Sequence, residues 1–178
     1  MSESRTVAEV LGAVRQIGFV VRDLDAAMAT WLQLGIGPFY TVRNIEQTCS
    51  YRGQEVTVVI SVAFANSGEL QVELIQQDND SPSIYREFLD AGHVGFNQLA
   101  YWVDDVDAVV AALGWPVVWT DIGNETTKYA YVEPPGGPAA VIEIMELNPA
   151  TIGMGQLIRA AAANWDGTDP VRAFPMPG

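Results

Sequence analysis

Residues 97–110 of this chain read NQLAYWVDDVDAVV, and residues 16–31 read QIGFVVRDLDAAMATW. In both stretches an apolar segment opens near a glutamine and runs into aspartates that precede a helix-forming segment. At a fixed spacing of 82 positions, Gln98 aligns with Gln16. Four further residues recur at the same spacing: Val21 and Val103, Asp23 and Asp105, Asp25 and Asp107, and Ala26 and Ala108. An internal repeat constrains both halves at once, so it predicts the fold more firmly than any single local propensity.

Each half continues with the same order of predicted elements. Residues 15–77 read as a strand, a helix capped by Asp23 or Asp25 and ended by Gly35, and then three strands. Residues 97–147 repeat that order, with Gly114 ending the helix. Runs of strands after each helix predict mostly antiparallel pairing rather than a doubly wound sheet. The predicted fold class is α+β: two β-α-β-β-β half-units whose mostly antiparallel, curled sheets enclose a cavity.

The predicted domain organisation follows from the two repeats. Residues 1–147 form one domain, in which the repeats 15–77 and 97–147 are joined by a linker, 78–96, that holds a short helix. The tail, 148–178, holds one predicted helix over 154–165 and then an extended end rich in proline and glycine.

The charge balance restricts the possible partners. The 178-residue chain has a net charge of −13 and a single lysine, Lys128, which argues against nucleic acid and anionic membrane surfaces. No stretch approaches the ~18 apolar residues of a membrane span. The one cysteine, Cys49, permits no internal disulfide, which suits a reducing compartment, so we expect a cytoplasmic protein. With nucleic acid and membranes disfavoured, we expect its partner to be a small molecule.

Each half also carries a glutamine in its first strand and an acid in its last. Because side chains alternate along a strand, Glu73 points to the other face of the sheet from its neighbours Val72 and Leu74. Glu143 likewise points to the other face from Ile142 and Ile144. The face of Glu143 is otherwise apolar, with Val141 and Met145, whereas the face of Glu73 also holds Glu69, Gln71 and Gln77. Glu143 is therefore harder to explain as a solvated residue. Trp102 shares a strand face with Gln98, which suggests an apolar or aromatic ligand.

The ordered set of motifs resembles the vicinal oxygen chelate superfamily, which includes glyoxalase I, methylmalonyl-CoA epimerase, extradiol dioxygenases and bleomycin-resistance proteins. The segments that carry the resemblance span about residues 14–147: QIGFVVRDLDAAMATW, LQVELIQ, GFNQLAYWVDDVDAVVAAL and EPPGGPAAVIEIME. The resemblance implies that each half gives one metal ion two ligands, which are here Gln16, Glu73, Gln98 and Glu143. The third of these positions is most often histidine in the family, whereas the only histidine of this chain is His93 in the linker.

The absence of a second histidine changes the expected metal. Extradiol dioxygenases bind Fe(II) through two histidines and one carboxylate, so that chemistry is excluded unless a second chain contributes. Four oxygen donors favour Mg²⁺ or Mn²⁺ over Zn²⁺ or Fe²⁺. They equally suit a site without metal, in which glutamine and glutamate side chains bond to each other.

The resemblance implies a lyase or an isomerase, including an epimerase. Its substrate would be partly apolar and bear a carbonyl, enediolate or epoxide oxygen. Glu143 or Glu73 would be the general base, and Gln16, Gln98 and Trp102 would contact the substrate. Two alternatives stay open: a metal-free protein that sequesters a ligand, as the bleomycin-resistance members do, and a metal-free enzyme on the same scaffold. We also expect a homodimer, because half-barrel sheets leave edges that need cover.

Overall fold

The computed structural model of the chain describes residues 6–123 and 127–175. The strands in these ranges are β1 (Gln16–Val20), β2 (Phe39–Tyr51), β3 (Gln54–Ser67), β4 (Leu70–Gln77), β5 (Gly95–Val103), β6 (Val117–Asp121), β7 (Tyr129–Val132), β8 (Val141–Glu146) and β9 (Val171–Ala173). The helices are α1 (Val7–Leu11), α2 (Leu24–Gln33), α3 (Ile84–Asp90), α4 (Val106–Leu113) and α5 (Pro149–Ala163).

Eight of the strands form a closed sheet in the order β3-β4-β1-β5-β8-β7-β6-β2, and a pairing between β2 and β3 completes the ring. The short β9 adds to the other side of β2. Among the described strands, only β1–β4, β5–β8 and β2–β9 pair in parallel. The sheet is therefore mostly antiparallel and curled, and the predicted α+β, glyoxalase-like class is confirmed.

The strand register reproduces the sequence repeat as a local two-fold relationship. On β1 and β5, Gln16 lies opposite Ala100, Ile17 opposite Leu99 and Gly18 opposite Gln98. The repeat relates Gln16 to Gln98 and Gly18 to Ala100, so it converts the Gln16–Ala100 pair into the Gln98–Gly18 pair. The partners on the last strand of each half agree, since Gly18 lies opposite Glu73 and Ala100 lies opposite Glu143.

Capping side chains set the ends of the repeated helices. Asp23 accepts a hydrogen bond from the backbone N–H of Ala26, and Asp105 accepts one from Ala108, each at 2.9 Å. Gly114 ends α4 in the left-handed region at φ 63°, as its position predicts. The last turn of α2 closes one residue earlier than predicted, at Leu34.

The structure differs from the sequence-based expectation mainly outside the repeats. The tail helix begins at Pro149 rather than at 154, because Asn148 and Thr151 form a reciprocal cap there. The sequence of residues 37–43 predicts the second strand, and the strand runs well beyond this segment, over Phe39–Tyr51. The sequence pattern predicted neither α1 nor β9.

The two faces of the closed sheet are both covered. On its outer face Val72 and Leu74 pack with residues of α2, and Ile142 and Ile144 pack with Val106 of α4. On its inner face the core cluster takes in side chains from two helices: Ile84 and Tyr85 of α3, and Ile158 of α5. Within the described residues, no helix has the length and apolar character needed to cross a membrane.

Candidate functional site

Two carboxyl groups and one carboxamide meet on the inner face of the sheet. Gln98 Nε2 donates to Glu73 Oε2 at 3.0 Å and to Glu143 Oε2 at 2.8 Å. Gln98, Glu73 and Glu143 are 0%, 8% and 7% exposed, respectively. The structure therefore brings together three of the four residues that the family resemblance implies as metal ligands.

A glycine makes room for this arrangement. Gly18 lies opposite Glu73 on one side and opposite Gln98 on the other. A Cβ atom at residue 18 would come within 2.3 Å of Gln98 Cγ and 2.7 Å of Gln98 Nε2. The carboxamide thus crosses over the backbone of β1 to reach the carboxyl group of Glu73. The sequence carries a signal for this role, because Ala100 is the small residue at the equivalent place in the second half.

Burial makes both carboxyl groups weaker acids than an exposed glutamate. It raises the pKa of Glu143 from 4.5 to about 7, although hydrogen bonds from Tyr131 and Gln98 act in the opposite direction. Burial and, next, the negative charge of Glu143 raise the pKa of Glu73 well above its usual value. Two such groups around one donor favour states in which at least one carboxyl holds a proton near neutral pH.

Two tyrosines extend the polar cluster. The Tyr131 hydroxyl lies 3.3 Å from Gln98 Nε2 and 3.4 Å from the hydroxyl of Tyr85 on α3. Burial raises the pKa of each phenol well above its usual value, so both stay protonated and can donate hydrogen bonds. The sequence pattern predicts no role for Tyr131 at the site.

Gln16 makes a different contact. Its Nε2 donates to Gln71 Oε1 at 2.7 Å, in the next row of the sheet from Gln98. Gln71 is buried, and its own Nε2 has no hydrogen-bond partner among the described residues. Gln71 was not predicted as a site residue, although it lies two residues before Glu73 on the same strand face. Where the first half of the repeat has this glutamine, the second has Val141.

Trp102 and His93 lie away from the carboxyl groups. Trp102 is four residues beyond Gln98 on β5 and lines a separate cavity of about 450 Å³. The ring of His93 packs against Phe88 with a centroid separation of 5.3 Å. Among residues 6–123 and 127–175, no three histidine, cysteine, aspartate or glutamate side chains cluster as a metal site.

The closed sheet of two β-α-β-β-β halves and its inward acid pair define a class of protein. A sequence model of the Glyoxalase/Bleomycin resistance protein/Dioxygenase superfamily matches residues 15–131, and the chain belongs to this superfamily. Its vicinal oxygen chelate character, expected from the motifs, is thereby confirmed. A search of curated proteins finds no significant match.

Solved structures share the fold at low sequence identity. Methylmalonyl-CoA epimerase from Mycobacterium tuberculosis aligns with a TM-score of 0.55 and 21% identity over 81% of this chain and 93% of its own. A single-residue variant of the Streptomyces coelicolor methylmalonyl-CoA epimerase, in complex with 2-nitronate-propionyl-CoA, gives 0.57 and 21% over 78% and 96%. A hypothetical protein from Bacillus halodurans C-125 gives 0.56 and 15% over 76% and 94%. These likenesses establish the fold.

The donor set fits the divalent metal that the superfamily implies. Within the part of the chain that the structure describes, Gln98 Oε1 is buried without a hydrogen-bond partner, and a half-turn of the carboxamide would exchange it with Nε2. The oxygen would then lie about 3 Å from an oxygen of each carboxyl group, so that the three side chains could share one hard cation. Glu73, Glu143 and Gln98 are therefore the residues that would hold a metal, and they would hold it through oxygen.

Proposed function

We propose that this chain is an isomerase of the epimerase type, which moves a proton at the carbon next to a carbonyl group of a small, partly apolar substrate. The observation that carries the proposal is the pair of buried carboxyl groups, Glu73 and Glu143, around one carboxamide. The reaction named for the epimerases of the same fold supports this class. A lyase that begins with the same proton abstraction is the second reaction type compatible with the site.

The raised pKa values suit the two carboxyl groups to proton transfer. A general base works best when its pKa lies near the working pH, and burial brings the pKa of Glu143 to about 7. As a carboxylate, Glu143 would take the proton from the substrate carbon, and the C–H electron pair would move into an enolate. Glu73, kept neutral by burial and by the charge of Glu143, would return a proton to that carbon.

Hydrogen-bond donors around the pair would position the base and the developing oxyanion. Gln98 holds both carboxyl groups through one nitrogen, and Tyr131 contacts that same nitrogen. A phenol whose pKa is raised by burial remains a donor throughout the neutral range. A metal, when bound, would be held by Glu73, Glu143 and Gln98 and would supply Lewis-acid polarisation of the substrate oxygen. The proton-transfer roles given to Glu73 and Glu143 describe the site without a metal.

Access to the carboxyl groups requires movement of the inner core. Glu73 and Glu143 are almost fully buried, and the core cluster on the same face includes Tyr85 of α3 and Ile158 of α5. We expect one of these two helices to shift when substrate binds, as closing elements do in many enzymes.

Deuterium exchange tests the proposal directly. In D₂O, the protein should catalyse exchange at the α-carbon of a chiral acyl thioester or α-hydroxy ketone, followed by NMR. E143Q and E73Q should each lower the rate by about 10²–10⁴-fold, the usual contribution of a general acid or base. E55Q, at an exposed residue of β3, is the control and should leave the rate unchanged. A fully active E143Q would overturn the assignment of the base.

Ligand sequestration without turnover is the second candidate. It is favoured by the cavity beside Trp102, which offers a binding volume separate from the carboxyl groups. Under this candidate neither the acyl thioester nor the α-hydroxy ketone exchanges its α-hydrogen for deuterium, and E143Q binds ligand as well as the natural protein does.

A further inference from the structure

A cavity of about 450 Å³ lies where the segment after α1 and the helix α5 meet the closed sheet. One wall is the segment between α1 and β1, including Leu11 and Arg15, and another is α5, including Ile152 and Arg159. Trp102 of β5 lies between these walls. Much of the lining falls outside residues 15–131, the part of the chain that the superfamily model matches.

The close approach of α5 to Trp102 shapes the cavity. Gly155 faces the indole ring, and a Cβ atom there would lie 3.1 Å from Trp102 Cη2. The helix therefore presents bare backbone to the ring. Further along the same helix, Arg159 forms a salt bridge with Glu69 at 2.6 Å, which neutralises both charges at the cavity wall.

Arg15 supplies a positive charge to the wall of the cavity. Its guanidinium lies over the Trp102 ring at 5.4 Å from the centroid, and it forms no salt bridge within residues 6–123 and 127–175. The backbone N–H of Arg15 donates to the Ala100 carbonyl at 2.9 Å, which fixes where the side chain starts. In a chain of net charge −13, an arginine that no described carboxylate neutralises suits an anionic ligand.

Two buried polar atoms in the same lining also lack partners among the residues that the structure describes. Trp102 Nε1 has no acceptor there, and Asn66 Oδ1 has no donor, although Asn66 Nδ2 donates to the Gly68 carbonyl at 3.1 Å. Asn66 is 7% exposed, so bulk water gives its oxygen little help. Buried groups left unpaired in this way cost stability unless a ligand or an ordered water meets them. A fitting ligand therefore carries both an acceptor and a donor.

We propose that this cavity binds a small organic monocarboxylate that has an apolar body and a hydroxyl or amide donor. The carboxylate pairs with Arg15. Small rotations of the Trp102 and Asn66 side chains, whose Nε1 and Oδ1 atoms are buried in the unliganded lining, would let the carboxylate accept from Trp102 Nε1 and let the donor meet Asn66 Oδ1. Leu11 and Ile152 contact the apolar body. One guanidinium that forms no salt bridge with the described residues balances one negative charge, so a monoanion fits this wall better than a dianion such as a phosphate monoester. The proposal is independent of catalysis by Glu73 and Glu143.

Mandelate (2-hydroxy-2-phenylacetate) is a suitable probe, and NMR of the tryptophan indole N–H groups is a suitable readout. The Trp102 signal is assigned with W102F. Mandelate should shift this signal in a saturable manner, because the indole N–H gains an acceptor. Uncharged mandelamide should bind at least tenfold more weakly, and R15Q should weaken mandelate binding by a similar factor.

R22Q is the matched control. It removes the same charge from an exposed arginine whose side chain donates to the Leu89 carbonyl, and it should leave mandelate binding unchanged. Phenyl phosphate should bind more weakly than mandelate. Equal affinities for R15Q and R22Q, no saturable shift of the Trp102 signal, or tighter binding of phenyl phosphate would each overturn the proposal. E143Q should bind mandelate normally, so the outcome is separate from that of the exchange experiment.

Discussion

Gly18 and Gln98 lie opposite each other on β1 and β5, and the side chain of Gln98 occupies the space that a side chain at residue 18 would fill. The two-fold relationship repeats the arrangement, because Gln16 lies opposite Ala100. Each glutamine of the repeat therefore lies across from a small residue. Only Gln98 uses that space to reach both carboxyl groups, whereas Gln16 bonds to Gln71.

Substituting Gly18 should lower the stability of the fold through a clash with the side chain of Gln98. G18A places a methyl group 2.3 Å from Gln98 Cγ, and overpacking of this kind lowers the free energy of unfolding by about 1–3 kcal/mol. Urea denaturation measures the loss. The control is G136A, where an added Cβ meets no atom within 4 Å, and its effect should stay below about 1 kcal/mol. Since the clash is with Gln98, most of the G18A loss should disappear in a Q98A background, and an undiminished loss there would contradict this account.

The raised pKa of Glu143 predicts a pH dependence of stability. The folded protein holds this proton up to about pH 7, whereas the unfolded chain releases it near 4.5. The stabilising contribution is therefore complete below about pH 4.5 and is lost as the pH rises through 7, by about 3 kcal/mol.

E143Q removes this contribution, because its carboxamide does not titrate, and it also removes the negative charge that helps to raise the pKa of Glu73. The unfolding free energy of the natural protein minus that of E143Q should decrease between pH 4.5 and 7 and then level off. Urea denaturation at several pH values provides the measurement. A flat difference for E143Q would show that Glu143 does not titrate in this range.

Adjacent residues of α5 should differ sharply in their effect on stability. Ile158 is 0% exposed in the inner core, whereas Leu157 on the same helix is 37% exposed. I158A should lower the free energy of unfolding by about 2–5 kcal/mol, and L157A should cost much less, because exposed side chains lose little on truncation. Urea denaturation of the two variants provides the comparison. Similar small losses would mean that α5 is not part of the cooperative core in solution.

The metal prediction can be tested with the two glutamines of the repeat. Imidazole suits Zn²⁺, Co²⁺ and Ni²⁺ better than an amide oxygen does, so Q98H should bind these ions at least tenfold more tightly than the natural protein. Calorimetry or Co²⁺ absorption provides the readout.

Q16H is the matched control, because Gln16 bonds to Gln71 rather than to the carboxyl groups. A smaller gain for Q16H would support a three-residue site, and an equal gain would restore Gln16 as a fourth ligand. No gain for Q98H would argue against metal binding by the carboxyl pair.

A homodimer remains a prediction, but its original reason no longer applies. The strands that were expected to leave open edges pair within one chain, through β2 with β3 and β2 with β6. What remains is exposed apolar side chains such as Leu34, Val94 and Val117. Light scattering at micromolar concentration should give twice the mass of the 19.3 kDa chain, and a monomer would refute the prediction.

The sequence by itself determined the repeated order of elements, the helix end at Gly114 and the inward direction of Glu143, and it offered Asp23 or Asp25 as the cap of α2. These features depend on short-range physics: the alternation of side chains along a strand, the 3.6-residue period of a helix, and capping groups one turn away. The repeat added what local patterns lack, because it tied two distant segments to one arrangement.

Only the tertiary structure decided how the inward residues are paired. Gln98 reaches both carboxyl groups and Gln16 does not, because the contacts depend on strand register and on the space left by Gly18. The pKa of Glu143 depends on burial by residues far away in the chain. The position of α5 against Trp102 likewise follows from long-range packing rather than from the helical pattern of the tail. The residue pattern thus indicated that Glu143 faces inward, and the family resemblance implied Gln98 and Glu73 beside it, while closure of the sheet determined which of these groups touch.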